Sequence, residues 1–315
     1  MTRVETLPAL PALGGLYARG LASSGRIAVR RTVSSGAGDL VLPDVTYRVA
    51  GVDTSVPDVA AHLERYRRVV GEPAGGTTSA GNPAGVPAGF LHVLAFPLAT
   101  AVMVRGDFPL PLLGLVHVEN SAAVLRPVRL GDQLEVRAHA TNLRPHRRGA
   151  QVDLVTEVTV PGEGLAYRGV STYLAKGVDL PDTSSAPGTE PDARGEWVPP
   201  LPTARWSLPA GTGRAYAAVS GDRNPIHTSA LGAKAFGFPR TIAHGMYTAA
   251  RALAEVGTGR GETYDWTVSF AKPVLLPSTV DVAIRPSGPG GGFTYQAWSG
   301  RSGTLHLTGA VTPRS

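Results

Sequence analysis

Apolar positions along the chain follow two periodicities that alternate in blocks. From Val56 to Val70 they recur at helical spacing (Val59, Leu63, Tyr66, Val70), with Pro57 in the first turn and Ser55 placed as a cap, which predicts an amphipathic helix. From Phe90 to Val104 almost every residue is apolar, the pattern of a helix covered on all sides. Strand-like runs follow at Leu115–Val124, Leu134–Asn142, Gln151–Val160 and Tyr167–Ala175. The second half repeats this order: a helix near Gly213–Val219, a buried helix over Gly245–Val256, then strands at Tyr264–Phe270, Thr279–Arg285, Thr294–Trp298 and Leu305–Val311.

A direct repeat underlies the shared order. Leu125–Ala138 (LRPVRLGDQLEVRA) lies without gaps on Ala271–Ile284 (AKPVLLPSTVDVAI) at an offset of 146 residues, with Arg126-Pro127-Val128 over Lys272-Pro273-Val274 and Val136 over Val282. Between the halves, Gly177 to Ala204 is rich in proline and small polar residues and reads as a linker. The expected division is an N-terminal domain over 1–176, a linker over 177–204 and a C-terminal domain over 205–315. Helices followed by a run of strands make each unit α+β, an antiparallel sheet packed on one face by a buried helix.

Composition narrows the chemistry. With no cysteine, disulfides, thiolate metal sites and cysteine nucleophiles are excluded, and 39 glycines and 27 prolines favour many short elements over long coiled coils. The net charge of +6 comes from small separate groups (Arg30–Arg31, Arg65–Arg68, Arg144–Arg148) without aromatic interleaving. That predicts a solvated surface and no nucleic-acid partner, while a small ligand carrying phosphates suits the same balance. The N-terminus has no continuous apolar core of a leader, and the Phe90–Val104 run is too short for a bilayer, so a cytoplasmic protein without a membrane span is expected. The chain has no G-x-G-x-x-G, Walker A, G-x-S-x-G or H-E-x-x-H, and its eight histidines show no metal-ligand spacing, so neither cofactor nor metal is expected.

One stretch stands apart: Tyr216-Ala-Ala-Val-Ser-Gly-Asp-Arg-Asn-Pro-Ile-His227, followed by Ala233-Lys-Ala-Phe-Gly-Phe238 and Ile242-Ala-His-Gly-Met246. Asp222 and His227 stand five residues apart across an Asn224-Pro225 turn, off the spacing of one helical face, so the turn must aim both side chains. A carboxylate and a neutral imidazole that reach one water are the parts of general acid–base chemistry near neutral pH. The helix that starts at Gly245 offers unpaired N–H groups at the positive end of its dipole, and the glycine admits a ligand close to the backbone. Taken singly, each feature has a plainer reading. Asp before Asn-Pro is usually a turn residue, Gly245 a packing glycine, and His92, His117, His244 and His306 satisfied core histidines.

The whole string resembles the motif of the MaoC-like family of R-specific enoyl-CoA hydratases and 3-hydroxyacyl-thioester dehydratases, Y-A-x-x-S-G-D-x-N-P-x-H followed by G-F and A/V-H-G-M. The resemblance implies a double hot dog fold, in which each of two repeats wraps a curved antiparallel sheet round a central helix. It also implies the reversible syn hydration of trans-2-enoyl thioesters to (3R)-3-hydroxyacyl thioesters, a hydro-lyase reaction of fatty acid metabolism that needs no cofactor. Position by position, Asp222 and His227 correspond to the catalytic pair, Asn224 and Ser220 to the supporting turn, and the Gly245 N–H to the donor for the thioester oxygen. The substrate carrier would be CoA or acyl carrier protein, with Arg240 or Lys272 meeting its phosphates. Some members carry a serine eight residues after the H-G-M glycine, where this chain has Leu253. The N-terminal copy lacks the motif: at the offset of 146, Asp222 and His227 fall on Gly76 and Gly81, and such degenerate halves are expected to shape an acyl tunnel. A homodimer is one assembly this layout allows. An acyl-thioesterase of the same fold and a non-catalytic acyl-thioester-binding subunit are the alternatives.

Overall fold

The computed structural model describes residues 3–20, 40–73, 85–180, 197–288 and 291–314. The first half contains β1 (Arg3–Thr6), α1 (helical over 13–20), β2 (Val45–Asp53), α2 (Pro57–Val70), α3 (Ala88–Met103), β3 (Leu115–Val124), β4 (Gln133–His146), β5 (Gly149–Val160) and β6 (Gly164–Lys176). The second contains β7 (Ala204–Leu208), α4 (Thr212–Ser220), the short α5 (Pro225–Thr228) and α6 (Ala230–Ala235), α7 (Gly245–Val256), β8 (Tyr264–Phe270), β9 (Ser278–Pro286), β10 (Phe293–Ser299) and β11 (Leu305–Pro313). Of the segment read as a linker, 181–196 lie outside the described residues.

The elements that periodicity predicts are present with ends shifted by a few residues at most. Those it does not predict are short or interrupted. β2 is broken by an irregularity between Val49 and Val52, with Gly51 at φ 70°, which spoils the alternation of its side chains. β7 spans five residues and begins inside the proline-rich segment. Ser55 does not cap α2: the N-cap is Val56, and the Ser55 N–H donates to Asp53 Oδ1 (2.8 Å) instead.

All eleven strands form one sheet in the order β1-β2-β4-β5-β6-β3-β8-β11-β10-β9-β7. The halves meet where β3 pairs antiparallel with β8. At the repeat offset Ser121 corresponds to Thr267, and these two residues pair directly across that seam. The sequence repeat is therefore a two-fold rotation whose axis passes between them, and neither half leaves an open edge at the junction. Each half lays its apolar helix under the sheet, with Phe90, Leu91, Leu98 and Val102 of α3 and Ala249, Ala252 and Leu253 of α7 all at most 1% exposed. This is the double hot dog architecture. Among the described residues no helix is long and apolar enough to cross a membrane.

The two-fold also corrects the register of the second site. Gly76 and Gly81 lie outside the described residues, but the helices preceding the two sites end alike, α2 on Gly71 (φ 76°) and α4 on Gly221 (φ 73°). Overlaying these left-handed caps puts Glu72, not Gly76, at the place of Asp222. Glu72 is paired with Arg260, the two side chains being 8% and 11% exposed. The tip of α3 is filled as well, since the Ala88 N–H donates to the Tyr264 hydroxyl (3.3 Å). The first half thus answers its own carboxylate and helix tip with protein groups. Removing one partner of a buried ion pair costs about 3 kcal/mol. Arg260→Ala is expected to lose stability on that scale in urea unfolding, with catalysis per folded molecule little changed.

Candidate active site

Asp222 follows α4 directly, and three local bonds fix its loop. The Asp222 N–H donates to Ser220 Oγ (3.2 Å), the Asn224 N–H donates to Asp222 Oδ1 (3.1 Å), and the Ile226 N–H donates to Asn224 Oδ1 (3.3 Å). Asn224 is the N-cap of α5 and Pro225 its first residue, so the one-turn helix that carries His227 begins as soon as the loop closes. The expected turn residues, Ser220 and Asn224, hold the turn as their chemistry suggests.

Close backbone packing then seats α5. A Cβ on Gly213 of α4 would lie 2.2 Å from the His227 carbonyl oxygen, so only glycine lets α4 and α5 approach this closely. On the other side His227 Nδ1 donates to the Ile242 carbonyl (2.9 Å), and the segment 241–243 is in turn held by the Ala243 N–H on the Val274 carbonyl (2.9 Å). Because a carbonyl only accepts, Nδ1 carries the proton and Nε2 keeps its lone pair. His244, the N-cap of α7, stacks on His227 with ring centres 3.7 Å apart, and its Nε2 donates to the Asp222 main-chain oxygen (2.9 Å). Gly245 opens α7 beside them, with Phe270 against its α-carbon.

These groups face a cavity of about 850 Å³, within the range that encloses a small-molecule ligand. Asp222, His227, His244 and Gly245 line it from the second half, and Tyr17, His92, His117 and Tyr173 from the first. Exposed Arg147, Arg148, Lys176 and Lys272 line its outer part, whereas Arg240 is exposed and lies outside the lining. Leu253 is buried in α7 and not in the lining. His92, His117, His244 and His306, whose plainer reading was a satisfied core position, all line the cavity. Three of them, His117, His244 and His306, keep one ring nitrogen without a protein partner among the described residues. Tyr17, Tyr173 and the histidine pair of the first half were not legible as site residues. Their only signal in sequence is a polar atom within an apolar run, which core tyrosines and histidines give as well.

Electrostatics sorts the groups into an anion and neutral bases. Burial pushes the Asp222 carboxyl up, but the His244 and His227 imidazoles, the Tyr17 hydroxyl and the Asn224 N–H outweigh it and leave the carboxyl below its ordinary value. Burial drives His227 down despite the attraction of Asp222, and it takes His244, which also faces His227, down to about 3. At neutral pH the site therefore holds one carboxylate between uncharged imidazoles. The donor atoms of Asp222, His227 and His244 all lie within 4.8 Å of one another, a spacing a cation would accept. Their hydrogen bonds speak against that use, because the His244 nitrogen turned toward Asp222 is the one carrying a proton. Two groups this far apart can instead share one water at hydrogen-bond distance.

A double hot dog fold with an acid–imidazole pair beside a helix tip defines a class, and comparison with known proteins gives the family. Residues 185–304 match the model of the MaoC like domain. Over 226 residues, 72% of this chain and 78% of the relative, the sequence is 40% identical to 3-hydroxyacyl-thioester dehydratase X of Mycobacterium tuberculosis. The crystal structure of HtdX from the same organism superposes with a TM-score of 0.69 at 34% identity, covering 85% of this chain and all of that one. A further M. tuberculosis protein, described as having a double hotdog fold, shares the fold alone, with a TM-score of 0.50 at 15% identity over 80% of this chain and 91% of that one. The chain belongs to the MaoC-like dehydratase family and is a hydro-lyase.

Two predictions follow from the packing and the charges. Gly213→Ala must push α5 away from α4, and displacements near 1 Å at a reacting group cost up to about a hundredfold in rate, so kcat should fall at least about tenfold. Burial holds His92 at about 4 and, with a neighbouring imidazole, His117 and His244 at about 3, while the unfolded chain protonates all three at the ordinary 6.5. Unfolding therefore takes up protons between pH 6.5 and 4, and stability falls as the pH falls. The urea midpoint should drop steadily across that window, less steeply in His117→Phe.

Proposed function

We propose that the protein interconverts trans-2-enoyl thioesters and (3R)-3-hydroxyacyl thioesters, with Asp222 and His227 as the catalytic pair. The observation that carries the reading is the juxtaposition of an ionised Asp222 and the neutral His227 ring, one nitrogen of which lies within 4.8 Å of the carboxylate, beside the first turn of α7 in one cavity. In the hydration direction His227 Nε2 and Asp222 hold a water below C3. Asp222 takes a proton from it as the water oxygen bonds to C3 and the C2–C3 π electrons move toward the thioester carbonyl; the proton held by Asp222 then passes to C2 on the same face as the carbonyl re-forms, which makes the addition syn and returns Asp222 to its carboxylate form. The oxygen that gains charge rests on the Gly245 N–H at the positive end of α7. Such a contact strengthens as charge develops and so lowers the barrier. No step draws on a metal or cofactor.

The outer part of the cavity suits the carrier. Lys272 stands with Arg147, Arg148 and Lys176 where a phosphate-bearing pantetheine arm would leave, and Arg240 plays no part in this reading. CoA and acyl carrier protein share that arm, and both are carriers of cytoplasmic acyl metabolism. The internal two-fold already makes a dimer-like contact within one chain, and light scattering on the purified protein tests whether two chains pair further.

Incubation with crotonyl-CoA separates the reading from its alternatives. Hydration removes enoyl absorbance without freeing thiol, a thioesterase frees thiol, and a binding subunit does neither. Asp222→Asn and His227→Gln are each expected to lower kcat by about a thousandfold or more with the fold retained; near-native rates in either would remove the pair. Because Asp222 must be ionised and His227 neutral, kcat/KM should be flat at neutral pH and decline on the acid side. Arg148→Glu combined with Lys272→Glu should raise KM for crotonyl-CoA but not for the phosphate-free crotonyl-pantetheine, and the effect should fade with added salt.

A further inference from the structure

Asp222 has a partner far outside the motif. The Tyr17 hydroxyl, on α1, donates to Asp222 Oδ1 at 2.5 Å across 205 residues of sequence. The contact is built in. Leu16 is buried beside Tyr17, and Leu13 packs on the bare α-carbon of Gly221, where a Cβ would come within 2.4 Å of its Cδ1. The N-terminal helix thus touches the catalytic turn at two consecutive residues, Gly221 and Asp222. Residues 185–304, which match the family domain, do not include it.

The two carboxylate oxygens are consequently unlike. Oδ1 accepts both the Tyr17 hydroxyl and the Asn224 N–H, which uses its two lone pairs. Among the described residues Oδ2 has His244 Nε2 at 3.7 Å, beyond hydrogen-bond distance, and no hydrogen-bond donor. We propose that Tyr17 is a positioning residue for Asp222, holding one oxygen so that the other alone meets the reacting water. This rests on the assignment of Asp222 as the base. Tyr17 stays protonated, because burial and the charge of Asp222 both push its phenol up, so it remains a donor throughout the cycle. The other titratable groups that face Asp222 are Tyr216 on α4, His227 on α5, His244 at the tip of α7, His92 on α3, His117 on β3 and Tyr173 on β6. None of these six makes a side-chain hydrogen bond to Asp222 among the described contacts, so Tyr17 is the neighbour whose removal acts on Oδ1 directly.

Tyr17→Phe keeps the ring and deletes the bond. A hydrogen bond to a charged group accounts for roughly a ten- to hundredfold effect, and kcat on crotonyl-CoA should fall by that factor with KM within about twofold of the native value. Removing a donor from the ionised form raises its pKa, so the acid limb of kcat/KM should move up by about one unit, a shift that a merely structural role would not produce. In an Asp222→Asn background the same substitution should have no further effect on residual activity. Thermal unfolding of Tyr17→Phe reports the folded fraction to which rates are normalised. An inactive Asp222→Asn with Tyr17→Phe at the native rate and an unmoved acid limb overturns this inference and leaves the catalytic pair standing. A rate increase in Tyr17→Phe also overturns it, by making α1 an inhibitory lid. An active Asp222→Asn overturns both.

Discussion

A carboxylate that stays ionised inside a cavity walled by aromatic rings and uncharged imidazoles is the constraint round which the second half of the molecule is organised. Left alone, such a group would take up a proton, because burial penalises its charge. Asp222 avoids this through donors that reach it from both halves, a main-chain N–H of its own turn and a phenol from the first twenty residues, with the His227 and His244 rings close beside it. The two rings are themselves anchored, His227 by the Ile242 carbonyl and His244 by the main chain of Asp222. The result is a carboxylate with one oxygen bonded to the protein, lining the same cavity as the His227 imidazole.

The two halves show what happens when the same place is answered differently. Helices α2 and α4 both end on a left-handed glycine followed at once by an acid, Glu72 in one and Asp222 in the other. Glu72 meets the full charge of Arg260, and the neighbouring helix tip is taken by the Tyr264 hydroxyl. An ion pair of this kind consumes the carboxylate, and a phenol on the first amide of α3 occupies the donor that Gly245 offers in α7. Asp222 meets only neutral donors, and the tip of α7 opens on the cavity. One arginine and one tyrosine, contributed by the second half to the first, thus separate a structural carboxylate from the one proposed to act.

Fusion of the repeats has a further consequence for the cavity. With β3 and β8 paired along the two-fold, the first half is brought against the proposed site of the second and supplies His92, His117 and Tyr173 to its wall, as well as basic side chains of the β4–β5 turn to its outer part. A half without the motif is therefore not a spacer. It provides much of the surface a substrate would touch beyond the reacting carbons.

Most of the architecture was legible in the chain itself, because period-2 and period-3.6 burial leave direct traces in apolar spacing, and a repeat at a fixed offset implies two copies of one unit. That the offset of 146 places Ser121 opposite Thr267 on the symmetry axis came only with the β3–β8 register. The motif was legible too, since Asp222, Asn224, Pro225 and His227 lie within six residues and their geometry is set by one turn. Tertiary structure alone decided the rest: that Glu72 occupies the place of Asp222, that His117 and His244 face a cavity, and that Tyr17 reaches a carboxylate 205 residues away. These are contacts between segments whose separation is set by how the two halves of one sheet are joined and packed on their helices. A tyrosine in an apolar N-terminal run looks the same in sequence whether its hydroxyl meets solvent or a buried anion, and only the fold distinguishes the two.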